Sequence, residues 1–292
     1  MTRMLILGGT GETGSWFARY FKDCGLDVAV WGPSGKTDLA ARMGVRYALD
    51  MMNEAGESDI VLLSVPIAKT IEVIRQVAPC MRQGSLLMDV TSLKSEPMRA
   101  MIRHAPEGVE VIGTHPMFGP TMPALKGQTM ILTPAAGRSE KWLPKIRSLL
   151  EAGGARVEVL NPEEHDEIMA VVQALTHFAY IGIGATLQAL DFDVEKSRKF
   201  MSPVYEIMID FVGRILDQSP ELYASIQQNP KATLVRQTFI AECMRLSEKA
   251  DSGNLEGFER IMREAAKHYG ETHQALERSD KLINGRIKEK KD

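Results

Sequence analysis

Apolar positions in the first half of the chain come in short runs, separated by stretches with helical spacing. "RMLILGG", "DVAVWG", "DIVLLSVP", "SLLMDVTS", "VEVIGTHP", "QTMILTP" and "ARVEVLN" each read as a strand. Between them "GETGSWFARYFKDCG" reads as a helix closed by Gly25, and a further helix is predicted around Trp142 to Glu151. Apolar strands alternating with helices predict a parallel sheet covered on both faces.

From Asn161 the rhythm changes. "NPEEHDEIMAVVQALTHFAYIGIGATLQALD" reads as one long helix with a Pro start, apolar nearly all round in its middle. Such a helix belongs inside a bundle or at a subunit interface. "SPVYEIMIDFVGRILDQ" offers Ser202 as N-cap and Pro203 at the first helical position. Val204, Ile207, Met208, Phe211, Val212 and Ile215 form its predicted apolar stripe. More helices and no further strand are expected to about Asn284, and the terminal "RIKEKKD" reads as a solvated helix end. The boundary between the halves falls near Asn161.

Composition sharpens this only a little. The 292 residues suffice for two domains, and 44% apolar and 25% charged residues are ordinary for a globular protein. A net charge of −3 with no basic face argues against a nucleic-acid partner. No signal peptide is expected at "MLILGG", and no run is expected to reach the ~18 apolar residues of a membrane span. Cys24, Cys80 and Cys243 are scattered and odd in number, so neither a disulfide framework nor a metal site is predicted, and a reducing cytoplasm fits.

"LILGGTGETG" places Gly9, Gly11 and Gly14 in a G-x-G-x-x-G pattern between a strand and a helix. Gly9 permits the tight turn, Gly11 lets the backbone approach a pyrophosphate, and Gly14 lets helix and strand pack closely. Gly9, Thr10, Gly11, Glu12, Thr13 and Gly14 are therefore assigned to a dinucleotide, with Ser64 and Pro66 after the strand "DIVLLSVP". This is a Rossmann-type α/β domain over residues 1–160, followed by an all-α domain over 161–292. The second strand ends in Trp31-Gly32-Pro33-Ser34-Gly35-Lys36, without the acid that bonds an NAD ribose. Ser34 and Lys36 suit a 2′-phosphate instead, or form a plain solvated turn; the reading leans to NADP over NAD.

"GTHPMFGP" puts His115 between a strand end and two prolines, with Gly113 and Gly119 permitting unusual backbone angles. A neutral imidazole at the cofactor edge is suited to take a proton from a hydroxyl; the alternative is a histidine that caps a turn. Ser92 in "DVTSLKS" either orients that imidazole or caps the next helix, and Lys94 is placed to serve an anion. Gln173 and His177 share a face of the long helix, as substrate contacts or satisfied core groups. Arg214 calls for an anion: a substrate carboxylate, or Asp210 one turn back.

Taken together, "GGTGETG", "DVTSLK", "GTHPMFGP", "HDEIMAVVQALTHF" and "SPVYEIMIDFVGRILDQSPELYASIQQNP" resemble the prephenate dehydrogenase family of tyrosine biosynthesis, in that family's order and over nearly the whole chain. The resemblance implies oxidative decarboxylation of prephenate to 4-hydroxyphenylpyruvate, with hydride passing to NAD(P). It implies catalytic roles for His115 and Ser92, a ring-carboxylate clamp at Arg214, a substrate-side histidine at His177, and homodimers through the helical half, consistent with the apolar helix around Ala179. Many relatives carry an acid directly after the His-Pro loop, where this chain has Thr121. Neither a fused chorismate mutase segment nor a regulatory domain is expected. Three alternatives share parts of this pattern. Arogenate dehydrogenase shares fold and chemistry, hydroxyacid or imine reductases share only the two-domain plan, and a catalytically silent NADP-binding regulator would keep the fold alone.

Overall fold

Most strands of the first half form on short apolar runs that end at a turn. The computed structural model describes residues 1–289. In chain order it runs β1 (Arg3–Leu7), α1 (Glu12–Asp23), β2 (Asp27–Trp31), α2 (Thr37–Met43), β3 (Arg46–Tyr47), α3 (Met51–Glu57), β4 (Ile60–Leu63), α4 (Ile67–Val77), β5 (Leu86–Asp89), α5 (Ser95–His104), β6 (Glu110–Pro116), β7 (Thr129–Pro134), α6 (Leu143–Ala152), β8 (Arg156–Val159) and α7 (Pro162–Met169). The seven expected strands are present. The two-residue β3 carries too little pattern to be read from sequence.

The sheet order is β3-β2-β1-β4-β5-β6-β7-β8. Alternating side chains of one strand feed two separate cores. Met4 and Ile6 pack with Phe17 and Phe21 of α1 and Ile146 and Leu150 of α6. Leu5 and Leu7 join Ile74 of α4 and Met98 and Met101 of α5 on the opposite face. One correction concerns direction: β7 runs antiparallel to β6, while every other pair is parallel. The segment between β6 and β7 forms no crossover helix, so the chain turns straight back.

The chain divides into two compact units, Met1–Met169 and Ala170–Asp292. The division falls inside the long helix, which is not uniformly α: residues Ala170–Leu175 form a π-helical segment before α8 (Thr176–Ala189). The second unit continues with α9 (Val194–Ser197), α10 (Pro203–Leu216), α11 (Pro220–Ile226), α12 (Ala232–Asp251), α13 (Leu255–Tyr269) and α14 (Thr272–Glu289). The last three residues of "RIKEKKD" lie outside the described residues.

Two sequence expectations about this unit need correction. α8 is half-buried or exposed at every residue, so the burial all round that its apolar composition predicts is not reached within the chain. On α10 the Ser202 cap and Pro203 stand as expected, but the buried face is Ile209, Val212 and Ile215, with Val204 and Phe211 exposed. By length and composition alone, Pro162–Ala189 is apolar enough to cross a membrane, with mean hydropathy 1.6 over its most apolar 18-residue window, contrary to the sequence expectation. Its first turns, however, carry Glu163, Glu164, Asp166 and Glu167, and α7 buries His165, Asp166 and Met169 within the sheet unit.

Candidate active site

In-register pairing of parallel strands brings four carboxyl ends to one edge. Leu7 of β1 pairs with Leu63 of β4, Leu63 with Asp89 of β5, and Asp89 with Gly113 of β6. The glycine loop, Ser64, the Thr91–Lys94 loop and His115 therefore follow one another along that edge. Chain order reverses between β1 and β4, the position where open α/β sheets form their ligand crevice.

The glycine loop works somewhat differently from the sequence expectation. The left-handed angle falls at Gly8 (φ 79°), not at Gly9. Gly9 is required for room, since a Cβ there would lie 2.5 Å from Cγ1 of Val30 on β2. A Cβ on Gly14 would lie 2.2 Å from the Gly8 carbonyl oxygen, so α1 packs on the loop backbone as expected. Gly11 caps α1 without a side-chain bond and is exposed, with Glu12 exposed, Thr13 half-buried and Thr10 buried behind them. The first backbone N–H groups of α1 thus face an open cradle that fits a pyrophosphate. Ser64 N–H donates to the Leu7 carbonyl at 2.8 Å, and Pro66 opens α4. Ser34 and Lys36 are exposed in the turn after β2, and Lys36 stands at the N-terminus of α2.

His115 is a strand residue, 2% exposed, rather than a loop histidine. Gly113 beside it has an ordinary φ; its missing side chain makes room for Thr133, whose Oγ1 would be 2.3 Å from a Cβ. Gly119 likewise has no left-handed angle. The following loop is fixed by Trp16 of α1, whose Nε1 donates to the Met122 carbonyl at 2.7 Å and whose ring packs on Phe118.

Two groups not singled out from the sequence stand behind this histidine. His115 Nδ1 lies 2.9 Å from Nε2 of His165, and His165 Nδ1 lies 2.8 Å from Oδ1 of Asp166, both on α7. The Asp166 carboxylate also accepts from the backbone N–H of Lys94 and of Ser95, each at 2.9 Å. It thus caps α5, the alternative task expected of Ser92. Ser92 is no cap because α5 starts only at Ser95; it is half-buried, and its hydroxyl makes no hydrogen bond among the described residues. Lys94 is fully buried and paired with Asp89, which is also bonded by Thr91. The anion it serves is internal.

Burial pushes Asp166 up, but bonds from His165, Ser95 and Lys94 outweigh it and hold the carboxyl at about 2. Burial lowers His165, the Asp166 bond opposes that, and the nearby Lys94 ammonium lowers it further, so the ring is neutral near pH 7. Burial also lowers Lys94, with Asp89 opposing.

The helical unit collects its own candidates. His177 packs edge-to-face on Tyr223 of α11, with ring centroids 4.6 Å apart, and its buried Nδ1 has no hydrogen-bond partner among the described residues. Burial lowers this ring to about 4, so it too is neutral. Tyr223 is raised by burial and lowered by the charge of Arg214, which places the guanidinium near the same ring. Gln173 sits in the π-helical segment, half-buried. Arg214 is exposed within its unit, and the Asp210 alternative fails: that carboxylate is bonded by Arg198 and Arg286 instead. Among the described residues no group of three or more metal-ligating side chains occurs.

Comparison with known proteins matches this division of labour. Residues 17–159 match the family model for the nucleotide-binding domain of prephenate dehydrogenase, and residues 161–264 that for its dimerization domain. A probable arogenate/prephenate dehydrogenase of Methanocaldococcus jannaschii is 47% identical over 95% of the chain, which spans 64% of that relative's length. The 4-amino-4-deoxyprephenate dehydrogenase of Streptomyces pristinaespiralis is 32% identical over 94% of each protein. In fold the chain is similar to prephenate dehydrogenase from A. aeolicus, solved with hydroxyphenyl propionate and NAD+ (TM-score 0.75, 20% identity, 92% and 97% of the two chains). It is also similar to arogenate dehydrogenase from Synechocystis (TM-score 0.70, 18% identity, 92% and 99%). With the cofactor edge, the His115 strand and the helical half all accounted for, the chain belongs to the prephenate dehydrogenase family.

Proposed function

We propose that the protein is a prephenate dehydrogenase, acting as a homodimer in the cytoplasm. It oxidises and decarboxylates prephenate to 4-hydroxyphenylpyruvate. The observation that carries this reading is His115, buried at the carboxyl end of β6 on the edge that holds the dinucleotide loop. The nicotinamide supplies a hydride acceptor at the ring carbon that bears the hydroxyl. His115 takes the hydroxyl proton as the hydride leaves, and Ser92 bonds the same oxygen. Carbon dioxide departs, the electron pair of its bond to the ring makes the ring aromatic and moves onto the oxygen, and the proton held on His115 returns to that oxygen to give the phenol; aromatisation supplies driving force. Arg214 holds the ring carboxylate, and neutral His177 and Gln173 contact the substrate without adding charge. A second reading takes arogenate as substrate, since the M. jannaschii relative is described as a probable arogenate/prephenate dehydrogenase. Absorbance at 340 nm with prephenate and arogenate, each with NAD and NADP, tests both. No turnover of either substrate refutes the assignment and leaves a silent dinucleotide-binding protein.

The cofactor assignment is NADP ahead of NAD, because no acid ends β2 and the exposed Ser34 and Lys36 suit a 2′-phosphate. Ser34→Asp is expected to shift the kcat/KM ratio toward NAD by on the order of tenfold or more, by repelling that phosphate. A strong NAD preference in the unmodified protein overturns the assignment.

Arg214→Gln is expected to raise the KM for prephenate on the order of 30-fold, the low end for losing a charge-assisted pair, since Arg214 is exposed within its unit. The effect on KM is expected to dominate over any change in melting temperature. A lowered melting temperature with unchanged KM assigns Arg214 to structure.

A further inference from the structure

The chain Asp166–His165–His115 fixes where protons sit. Asp166, held at about 2, is ionised and only accepts, so His165 Nδ1 carries a proton and donates it. His165 is neutral, so its Nε2 carries the lone pair and accepts. His115 Nδ1 must then be the donor to His165. We infer that His165 and Asp166 are positioning residues that lock His115 in the Nδ1–H tautomer, leaving Nε2 as the atom that takes the substrate proton. The role given to that atom rests on the dehydrogenase reading; the tautomer does not.

The chain does two further things. When His115 gains a proton, the new charge lies next to a hydrogen-bonded ring backed by a carboxylate, so the imidazolium is stabilised without a proton crossing to Asp166. The groups facing the pair also set the balance. From α7 they are His165 and Asp166; behind them, at the end of β5 and the start of α5, Asp89 and Lys94 form their own neutral ion pair. Lys94 opposes protonation of His165, so the charge stays on His115. Because Asp166 also bonds the first N–H groups of α5, it cannot rotate away from His165 without uncapping that helix.

The test has two arms. Long-range 1H–15N correlation spectra of the ring nitrogens, assigned with His115→Asn and His165→Gln, read the tautomer directly and need no substrate. The expected result is a protonated Nδ1 and a bare Nε2 on His115; the opposite tautomer overturns the inference. In the second arm, Asp166→Asn and His165→Phe are expected to lower kcat on the order of 10²-fold or more, with the KM for NADP within about twofold. Without the carboxylate the imidazolium is less stabilised, so the acid limb of kcat/KM moves to lower pH. His165→Gln, whose amide oxygen still accepts from His115 Nδ1–H, is expected to recover part of the loss, and it covers the case in which Asp166→Asn does not fold. Wild-type kcat and an unmoved acid limb in His165→Phe overturn the inference while the dehydrogenase assignment stands. Absence of wild-type turnover refutes that assignment alone, and the spectra still decide the tautomer.

Discussion

Replacing His115 with asparagine will leave dinucleotide binding intact and lower turnover by ~10²–10⁴-fold, the range for a positioned acid–base group. Asparagine is the discriminating choice. Its Nδ2–H occupies the position of the imidazole Nδ1–H and still donates to His165 Nε2, 2.9 Å away in the native protein. What the substitution removes is the far nitrogen. The buried strand end and the α7 contact are therefore retained, and the loss reads out the chemistry rather than the fold. Fluorescence titration with NADP checks binding, and steady-state kinetics check turnover. A folded variant that turns over at near-native rate would show that His115 is structural.

Lys94→Met will destabilise the protein by about 3–5 kcal/mol, the cost of stranding one partner of a buried ion pair. Against the ~5–15 kcal/mol typical of a native domain this is a large fraction. Both side chains of the pair are fully buried, Thr91 is the other group on Asp89, and Asp89 Oδ1 has no hydrogen-bond partner among the described residues. Methionine matches the lysine stem in length, so the change isolates the charge. The double variant Lys94→Met/Asp89→Asn is expected to be more stable than Lys94→Met alone, because no charge is then left without a counter-ion. Denaturant unfolding measures both. A Lys94→Met midpoint equal to that of the native protein sinks the argument.

Strands such as β1, β4 and β5 are legible because each is a nearly unbroken apolar run, and such runs have few other uses in a polar chain. Strand direction was not legible. "QTMILTP" carries the same pattern whether it runs with or against β6, and only the missing crossover helix separates the two. At the site, His115 and the glycine loop announced themselves by residue type in a distinctive frame. His165 and Asp166 did not, because "NPEEHDE" reads as the solvated, acidic first turn of a helix. A signal was present: stepping back three or four residues from the apolar Met169 and Ala170 lands on Asp166 and His165, so helical period alone puts both on the inward face. Lys94 carries the residue type of an anion site, but spacing gives no hint that the anion is Asp89 of the same strand end. Gly8 was passed over for Gly9 because the pattern names its first glycine by order and not by backbone angle.

The reversal of β7 separates two things that selection acts on. Because β7 starts at the edge where β6 ends, residues 117–128 never leave that edge. A crossover would have carried them over a face of the sheet and into its core. Here only Phe118 and Leu125 join the packed interior, while Thr121, Pro123 and Ala124 lie exposed. Substitutions and length changes at those positions leave both cores untouched. This stretch is where a lineage is able to remodel the rim of the histidine edge while inheriting the scaffold unchanged.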